Sequence, residues 1–101
     1  MEFLVEFELV IPDGVAGSEV EDRERAEAAA AATLADEGHL VRLWRTADGR
    51  GRATVLGLYR ADSRAELDAF LGDLPLSEWM HTSITPLVQH PNDPAGIRAL
   101  N

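Results

Sequence analysis

Glu27 is the residue whose surroundings in the sequence best suit acid–base chemistry. It lies seven residues after Val20 and seven before Leu34, which places it on the helix stripe expected to face protein rather than water. Desolvation on that stripe would raise its pKa toward the range useful to a general base. The alternative is a solvated glutamate paired with Arg23, four residues earlier. Alanines surround Glu27, so the sequence leaves both interpretations open.

A second group of residues could bind an oxygen anion. Arg42 and Trp44 alternate on one face of a predicted strand, and a guanidinium beside an indole is suited to a carboxylate or an enolate oxygen. Trp44 also suits a core or interface position. Arg45 falls on the opposite face, where a structural ion pair is the simpler interpretation. Glu6 and Glu8 share the face of Arg42, so they either line a site or pair with Arg42 across the sheet or across a dimer.

The histidines offer one further candidate. His81 opens the last predicted strand after Trp79-Met80, where an imidazole near a pocket rim could relay protons; the alternative is a surface histidine. His39 and His90 are too far from it in the sequence to suggest a metal site, and none is predicted. The chain has no cysteine, which excludes disulfides, thiolate metal sites and a cysteine nucleophile.

The length and composition of the chain exclude several classes of function. The 101 residues are enough for one domain, 1–101. Eighteen acidic residues against nine basic ones give a formal charge of -9, which disfavours nucleic-acid binding. All nine basic residues are arginine, so lysine chemistry is excluded. No apolar run approaches the roughly 20 residues that span a bilayer, and the amino terminus lacks the pattern of a secretory signal. The expectation is a cytoplasmic domain without a membrane segment.

Hydrophobic periodicity and turn residues predict the order βαββαβ. Capping boxes at Ser18 and Ser63 are expected to open the two helices, and Gly38 is expected to end the first. The segment Asp48-Gly49-Arg50-Gly51 predicts a hairpin. The predicted strands cover residues 3–10, 39–47, 52–59 and 80–89. The result is an α+β, ferredoxin-like fold in which both helices cover one face of an antiparallel sheet; residues from about 90 to 101 are expected to form an arm.

The uncovered sheet face is predicted to be apolar. Its expected members are Leu4, Val10, Trp44, Leu56 and Leu58. A patch of this kind is seldom bare in a monomer. We therefore expect a homo-oligomer built on dimers of the α+β-barrel type, with a substrate pocket between this face and its partner.

Three segments of the chain resemble the muconolactone isomerase family. They are Phe3-Leu4-Val5 through Ile11-Pro12, the run 38–45 with its Leu-Trp-Arg triplet, and Leu74-Pro75-Leu76 through Thr85-Pro86-Leu87 to His90-Pro91. The resemblance implies an isomerase that converts muconolactone to the 3-oxoadipate enol-lactone of aromatic catabolism, without metal or organic cofactor. It matches Glu27 to the family's helical glutamate, the expected base, and Arg42 and Arg45 to its basic strand positions.

Several positions depart from the family pattern. Glu6 stands where members tend to be basic, Asp68 replaces a usual histidine, and Val55 and Gly57 replace polar or aromatic residues. Each change makes the expected pocket larger, more apolar or less positive. Two other functions therefore stay open: a relative acting as isomerase, dehydratase or cyclase on a bulkier polyketide-like intermediate of secondary metabolism, and a non-catalytic oligomeric small-molecule-binding protein.

Overall fold

The computed structural model describes residues 1–46 and 54–99. Its elements along the chain are β1 (Glu2–Leu9), α1 (Gly17–Asp36), β2 (Leu40–Arg45), β3 (Thr54–Arg60), α2 (Arg64–Gly72), a 3₁₀ turn (Ser77–Trp79), β4 (Met80–Leu87) and α3 (Pro94–Ala99). The predicted order βαββαβ is confirmed, and α3 follows it as a short helix within the segment predicted to be an arm. The hairpin predicted at 48–51 lies outside the described residues.

The strands of the described chain form one antiparallel sheet in the order β2-β3-β1-β4. β1 is central, so its odd-numbered residues pack under the helices while its even-numbered residues point to the other face. Phe3, Val5 and Phe7 are buried accordingly. The ferredoxin-like α+β fold with both helices on one face is therefore confirmed.

The two long helices cover the sheet unequally. α2 buries Leu67 and Leu71 against the core, whereas no residue of the fully described helix α1 is buried. α1 contacts the core only through half-buried residues such as Ala30 and Leu34. Because alanine side chains reach only a methyl group beyond the backbone, they leave space between α1 and the sheet.

The helix ends test the predicted capping signals. Ser63 accepts a 3.1 Å hydrogen bond from the Glu66 amide, as the capping box predicts. Gly38 adopts a φ of +82°, and the His39 amide bonds to the Leu34 carbonyl at 2.8 Å, which ends α1 in a Schellman motif. The cap predicted at Ser18 is wrong: α1 begins at Gly17, two residues before the start that a cap at Ser18 implies, with Ala16 at the N-cap and no side-chain cap.

A register shift between Leu40 and Arg42 alters the start of β2. Leu40 packs on the core, while Val41 is exposed. Sequence alternation had paired Val41 with Leu43 on one face, and the irregularity breaks that pattern because it adds a residue between paired positions. Residues from Arg42 onward regain the predicted alternation.

Candidate active site

A cavity of about 290 Å³ lies between α1 and the helix-facing side of the sheet. Its size is near the lower end of the roughly 300–1,000 Å³ typical of small-molecule sites. Its lining is mostly apolar and comprises Phe7, Leu9, Glu24, Glu27, Ala28, Ala31, Leu43, Val55, Tyr59, Leu76 and Met80. The space exists because α1 presents alanines rather than large side chains at 28 and 31.

Glu27 is the half-buried carboxylate of this cavity. The Leu76 backbone N–H donates a 3.0 Å hydrogen bond to Glu27 Oε1. Burial raises the pKa of Glu27 above its ordinary value, and the hydrogen bond from Leu76 opposes part of that rise. Of the two interpretations of the helical spacing, the structure places Glu27 against protein.

Arg23, the alternative partner of Glu27, is engaged elsewhere. It forms ion pairs with Glu78 and, at 3.3 Å, with Glu19, and its guanidinium lies 4.2 Å from the centre of the Trp79 ring. These contacts tie α1 to the segment that follows α2. That segment also carries Leu76, so Arg23 helps to hold the amide that bonds to Glu27.

Tyr59 is a cavity residue that the sequence reasoning missed. It lies on β3, is 3% exposed, and lines the cavity together with Glu27. Burial, with a smaller contribution from the negative charge of Glu27, raises the pKa of Tyr59 to about 12. The sequence held one signal for it. Tyr59 is the only tyrosine of the chain, and it lies two residues from Gly57, so the two residues share one face of the predicted strand.

Most of the other predicted site residues lie on the opposite, open face of the sheet. Strand pairing joins Glu6 to Leu56 and Ser83, Glu8 to His81, and Trp44 to Leu56. Arg42 pairs with Leu58 on the same face, and its guanidinium lies 5.0 Å from the Trp44 ring centre. The structure therefore brings these residues together, but separates them from Glu27 by the thickness of the sheet.

This arrangement places Glu27 apart from the open-face residues that were expected to share its pocket. The sequence reasoning put the pocket on the open face, yet the cavity that contains Glu27 lies under α1. The reason is strand alternation: Glu27 belongs to a helix on one side of the sheet, and Arg42 points to the other side. Within the described residues of one chain, Glu6 and Glu8 form no ion pair with Arg42, and β3 lies between their strands.

Arg45 is on the cavity side of the sheet. It pairs with Val55, and Val55 and Leu43 both line the cavity. Its side chain is exposed, and no described residue forms an ion pair with it, so the structural ion pair expected for it is not seen. Arg45 is therefore an exposed basic residue on the cavity side of the sheet.

Residues 1–46 and 54–99 contain no group of three histidine, aspartate or glutamate side chains placed to hold a metal ion. Within the same ranges, no helix has the length and apolar character needed to cross a membrane.

Fold and site together define a small ferredoxin-like α+β protein with a half-buried carboxylate in an apolar cavity. The sequence profile of the family described as muconolactone delta-isomerase matches residues 1–93. The chain belongs to the muconolactone delta-isomerase family. It is 29% identical over 92 residues to the muconolactone delta-isomerase of Cupriavidus pinatubonensis, a match that covers 91% of this chain and 97% of that protein.

Solved structures agree with this assignment. A crystal structure of muconolactone isomerase superposes with a TM-score of 0.81 at 26% identity, covering 93% of this chain and 95% of the other. A dimeric ferredoxin-like protein from Thermobifida fusca shares the fold, with a TM-score of 0.51 at 16% identity over 86% of this chain and 92% of its own. The expected family and the expected isomerase class are confirmed, and the cyclase and non-catalytic alternatives are not favoured.

Proposed function

We propose that this protein moves a proton within an unsaturated lactone of the muconolactone type, with Glu27 as the base. The observation that carries the proposal is the position of Glu27, a half-buried carboxylate on the wall of an apolar cavity with one oxygen held by the Leu76 amide. Burial raises its pKa, which makes its carboxylate a stronger base than an exposed glutamate.

The reaction needs one carboxylate as the base and a hydrogen-bond donor to the carbonyl oxygen of the lactone. Removal of a proton from the γ carbon sends the C–H electron pair through the conjugated system to the carbonyl oxygen, which forms a dienolate. Return of the proton to the α carbon moves the double bond from the α,β to the β,γ position, so atoms and charge balance. Because the Leu76 N–H holds Oε1 of Glu27, Oε2 is the oxygen that carries the proton between the two carbons.

Activity on muconolactone is the direct test of Glu27. Purified protein should change the ultraviolet absorbance of muconolactone without added metal or nucleotide. Glu27→Gln keeps the shape and the Leu76 hydrogen bond but removes the base, so we expect kcat to fall by about 10²–10⁴-fold. Glu21→Gln, an equal charge change at an exposed position of the same helix, is the control and should keep wild-type kcat. An active Glu27→Gln variant would refute the assignment.

We also propose that Arg45 attracts the carboxylate of the substrate. Its strand partner Val55 and its neighbour Leu43 line the cavity, whereas Arg42 lies on the opposite face. Arg45→Gln should therefore raise KM with little change in kcat, because uniform binding of the ground state and transition state is lost. If Arg42→Gln raises KM and Arg45→Gln does not, the substrate is bound at the open face, and Glu6, Glu8, Trp44, Leu56 and His81 become its contacts.

We propose that the open face pairs with a second copy of the chain. Leu56 and Leu58 lie at its centre, and Trp44 beside them is 41% exposed. Burying these side chains would gain about 25 cal/mol for each Å² of apolar surface removed from water. Sedimentation should find a dimer or a larger assembly, and Leu56→Glu should shift it toward the monomer. A monomeric wild type at high concentration would exclude this association.

A further inference from the structure

Tyr59 is the one uncharged polar side chain among the described residues that line the cavity. The only other lining side chains that carry polar atoms are Glu24 and Glu27, and an ionised carboxylate can only accept hydrogen bonds. A hydroxyl can donate. The cavity therefore combines a base with a hydrogen-bond donor, and the donor comes from the sheet while the base comes from the helix.

The Tyr59 ring is fixed by its neighbours. A Cβ placed on Gly57 would lie 2.5 Å from Tyr59 Cε2 and 3.2 Å from Cδ2, so the ring lies over the glycine, in space that any side chain would fill. Phe7 meets the ring edge-on, with 6.2 Å between ring centres. A buried ring held on two sides presents its hydroxyl at a defined place, as a preorganised donor requires.

The hydroxyl also keeps its proton. Burial and the nearby Glu27 charge raise the pKa of Tyr59 to about 12, so the group is a phenol at neutral pH. Both residues lie in the described part of the chain, and no hydrogen bond joins the Tyr59 hydroxyl to the Glu27 carboxylate. The Tyr59 hydroxyl therefore does not donate its hydrogen bond to Glu27.

We propose that Tyr59 is a catalytic residue that donates a hydrogen bond to the lactone carbonyl oxygen while Glu27 removes the proton. This inference rests on the proposed function. Negative charge grows on the carbonyl oxygen as the γ C–H bond breaks, and it leaves again when the α carbon is protonated. Tyr59 retains its own proton throughout, so the proton balance of the reaction is unchanged. The hydrogen bond strengthens with the charge, which lowers the barrier rather than the ground state.

Tyr59→Phe tests this role, because phenylalanine keeps the ring and removes only the hydroxyl. We expect kcat on muconolactone to fall by about 10²–10³-fold, with KM nearly unchanged and the urea unfolding midpoint close to that of the wild type. A merely structural role would move the unfolding midpoint and leave kcat nearly intact. A Tyr59→Phe variant that retains wild-type kcat would overturn the inference.

A binding measurement separates this inference from the proposed function. In the Glu27→Gln background, which imitates the protonated base, 4-nitrophenolate serves as a mimic of the dienolate oxygen and reports binding by its absorbance. We expect the Glu27→Gln protein to bind the ionised probe at least about tenfold more tightly than the Glu27→Gln/Tyr59→Phe protein, a difference of about 1.4 kcal/mol.

The outcomes are distinguishable. If wild type fails to isomerise muconolactone but the probe binds in a Tyr59-dependent way, the proposed substrate is wrong and Tyr59 stands as an oxyanion donor. If wild type is active but probe binding is indifferent to Tyr59, the proposed function stands and the role of Tyr59 is refuted.

Discussion

Gly57→Ala probes the contact that fixes the Tyr59 ring. The added methyl would lie 2.5 Å from Tyr59 Cε2 and 3.4 Å from Leu43 Cδ1, so the buried ring must move. Overpacking of this kind costs about 1–3 kcal/mol. Replacing glycine lowers the entropy of the unfolded chain, which returns about 0.4–1 kcal/mol. The net expectation is a loss of about 1–2 kcal/mol in the free energy of unfolding.

Urea unfolding measures this loss directly, and Gly72→Ala is the matched control. Gly72 ends α2, and a Cβ there would meet nothing within 4 Å. Its replacement should leave stability unchanged or raise it by up to about 1 kcal/mol. Neither glycine has a positive φ, so backbone strain does not distinguish the two variants. Gly57→Ala should also lower kcat, because the displaced ring carries the hydroxyl away from its place in the cavity.

A double-mutant cycle identifies the ring as the cause. In a Tyr59→Leu background the side chain at position 59 is shorter than the aromatic ring. Gly57→Ala should then cost little free energy of unfolding, which corresponds to a coupling energy of about 1–2 kcal/mol between the two positions. A Gly57→Ala variant as stable as the wild type, or a loss of stability that is the same in both backgrounds, would contradict this prediction. Either result would mean that Tyr59 does not lie over Gly57.

Three further predictions concern the helices and their links to the cavity. Burial raises the pKa of Glu27 in the folded state, so its protonated form favours folding. The stability of wild type relative to Glu27→Gln should therefore fall as pH rises from about 4 through the folded pKa; a difference in urea midpoint that does not change with pH would contradict this. Ser63→Ala should lose about 0.5–2 kcal/mol in urea unfolding, whereas Ser18→Ala, inside α1, should lose little; equal losses would argue against the Ser63 cap. Arg23→Met should lower kcat, since it releases Glu78 and Trp79 and loosens the segment that positions the Leu76 amide; unchanged kinetics would show that this segment is held without Arg23.

Much of the fold could be predicted because its signals are local. Alternation in β1 placed Phe3, Val5 and Phe7 on the buried face of the strand. The cap at Ser63 and the helix end at Gly38 depend on only a few neighbouring residues. The cap predicted at Ser18 was wrong although it has the same pattern as Ser63, because Gly17 adopts helical geometry and moves the start of α1. A capping sequence is compatible with a cap but does not compel one.

The candidate site could be predicted only in part. Glu27 could be predicted as a candidate because its spacing from apolar residues of the same helix is a local property, although that spacing left a solvated glutamate as an alternative. Tyr59 was missed because its role depends on Gly57 beside it and on a helix far away in the sequence. Arg42, chosen from a strand motif, proved to lie across the sheet from Glu27, while Arg45 lies on the cavity side.

The sequence by itself determined the order of the elements and the two faces of β1. It also indicated Glu27 as a candidate base, but left open whether its side chain faces protein or solvent. Only the tertiary structure decided where the cavity lies, since that depends on how far α1 stands from the sheet. Alanines of α1 and Tyr59 of β3 line the cavity, and the Leu76 segment contacts α1 through Glu27. No local pattern records such contacts. Glu27 and Tyr59 line the same cavity because of that packing, since residues 27 and 59 come together only when helix and sheet enclose the same space.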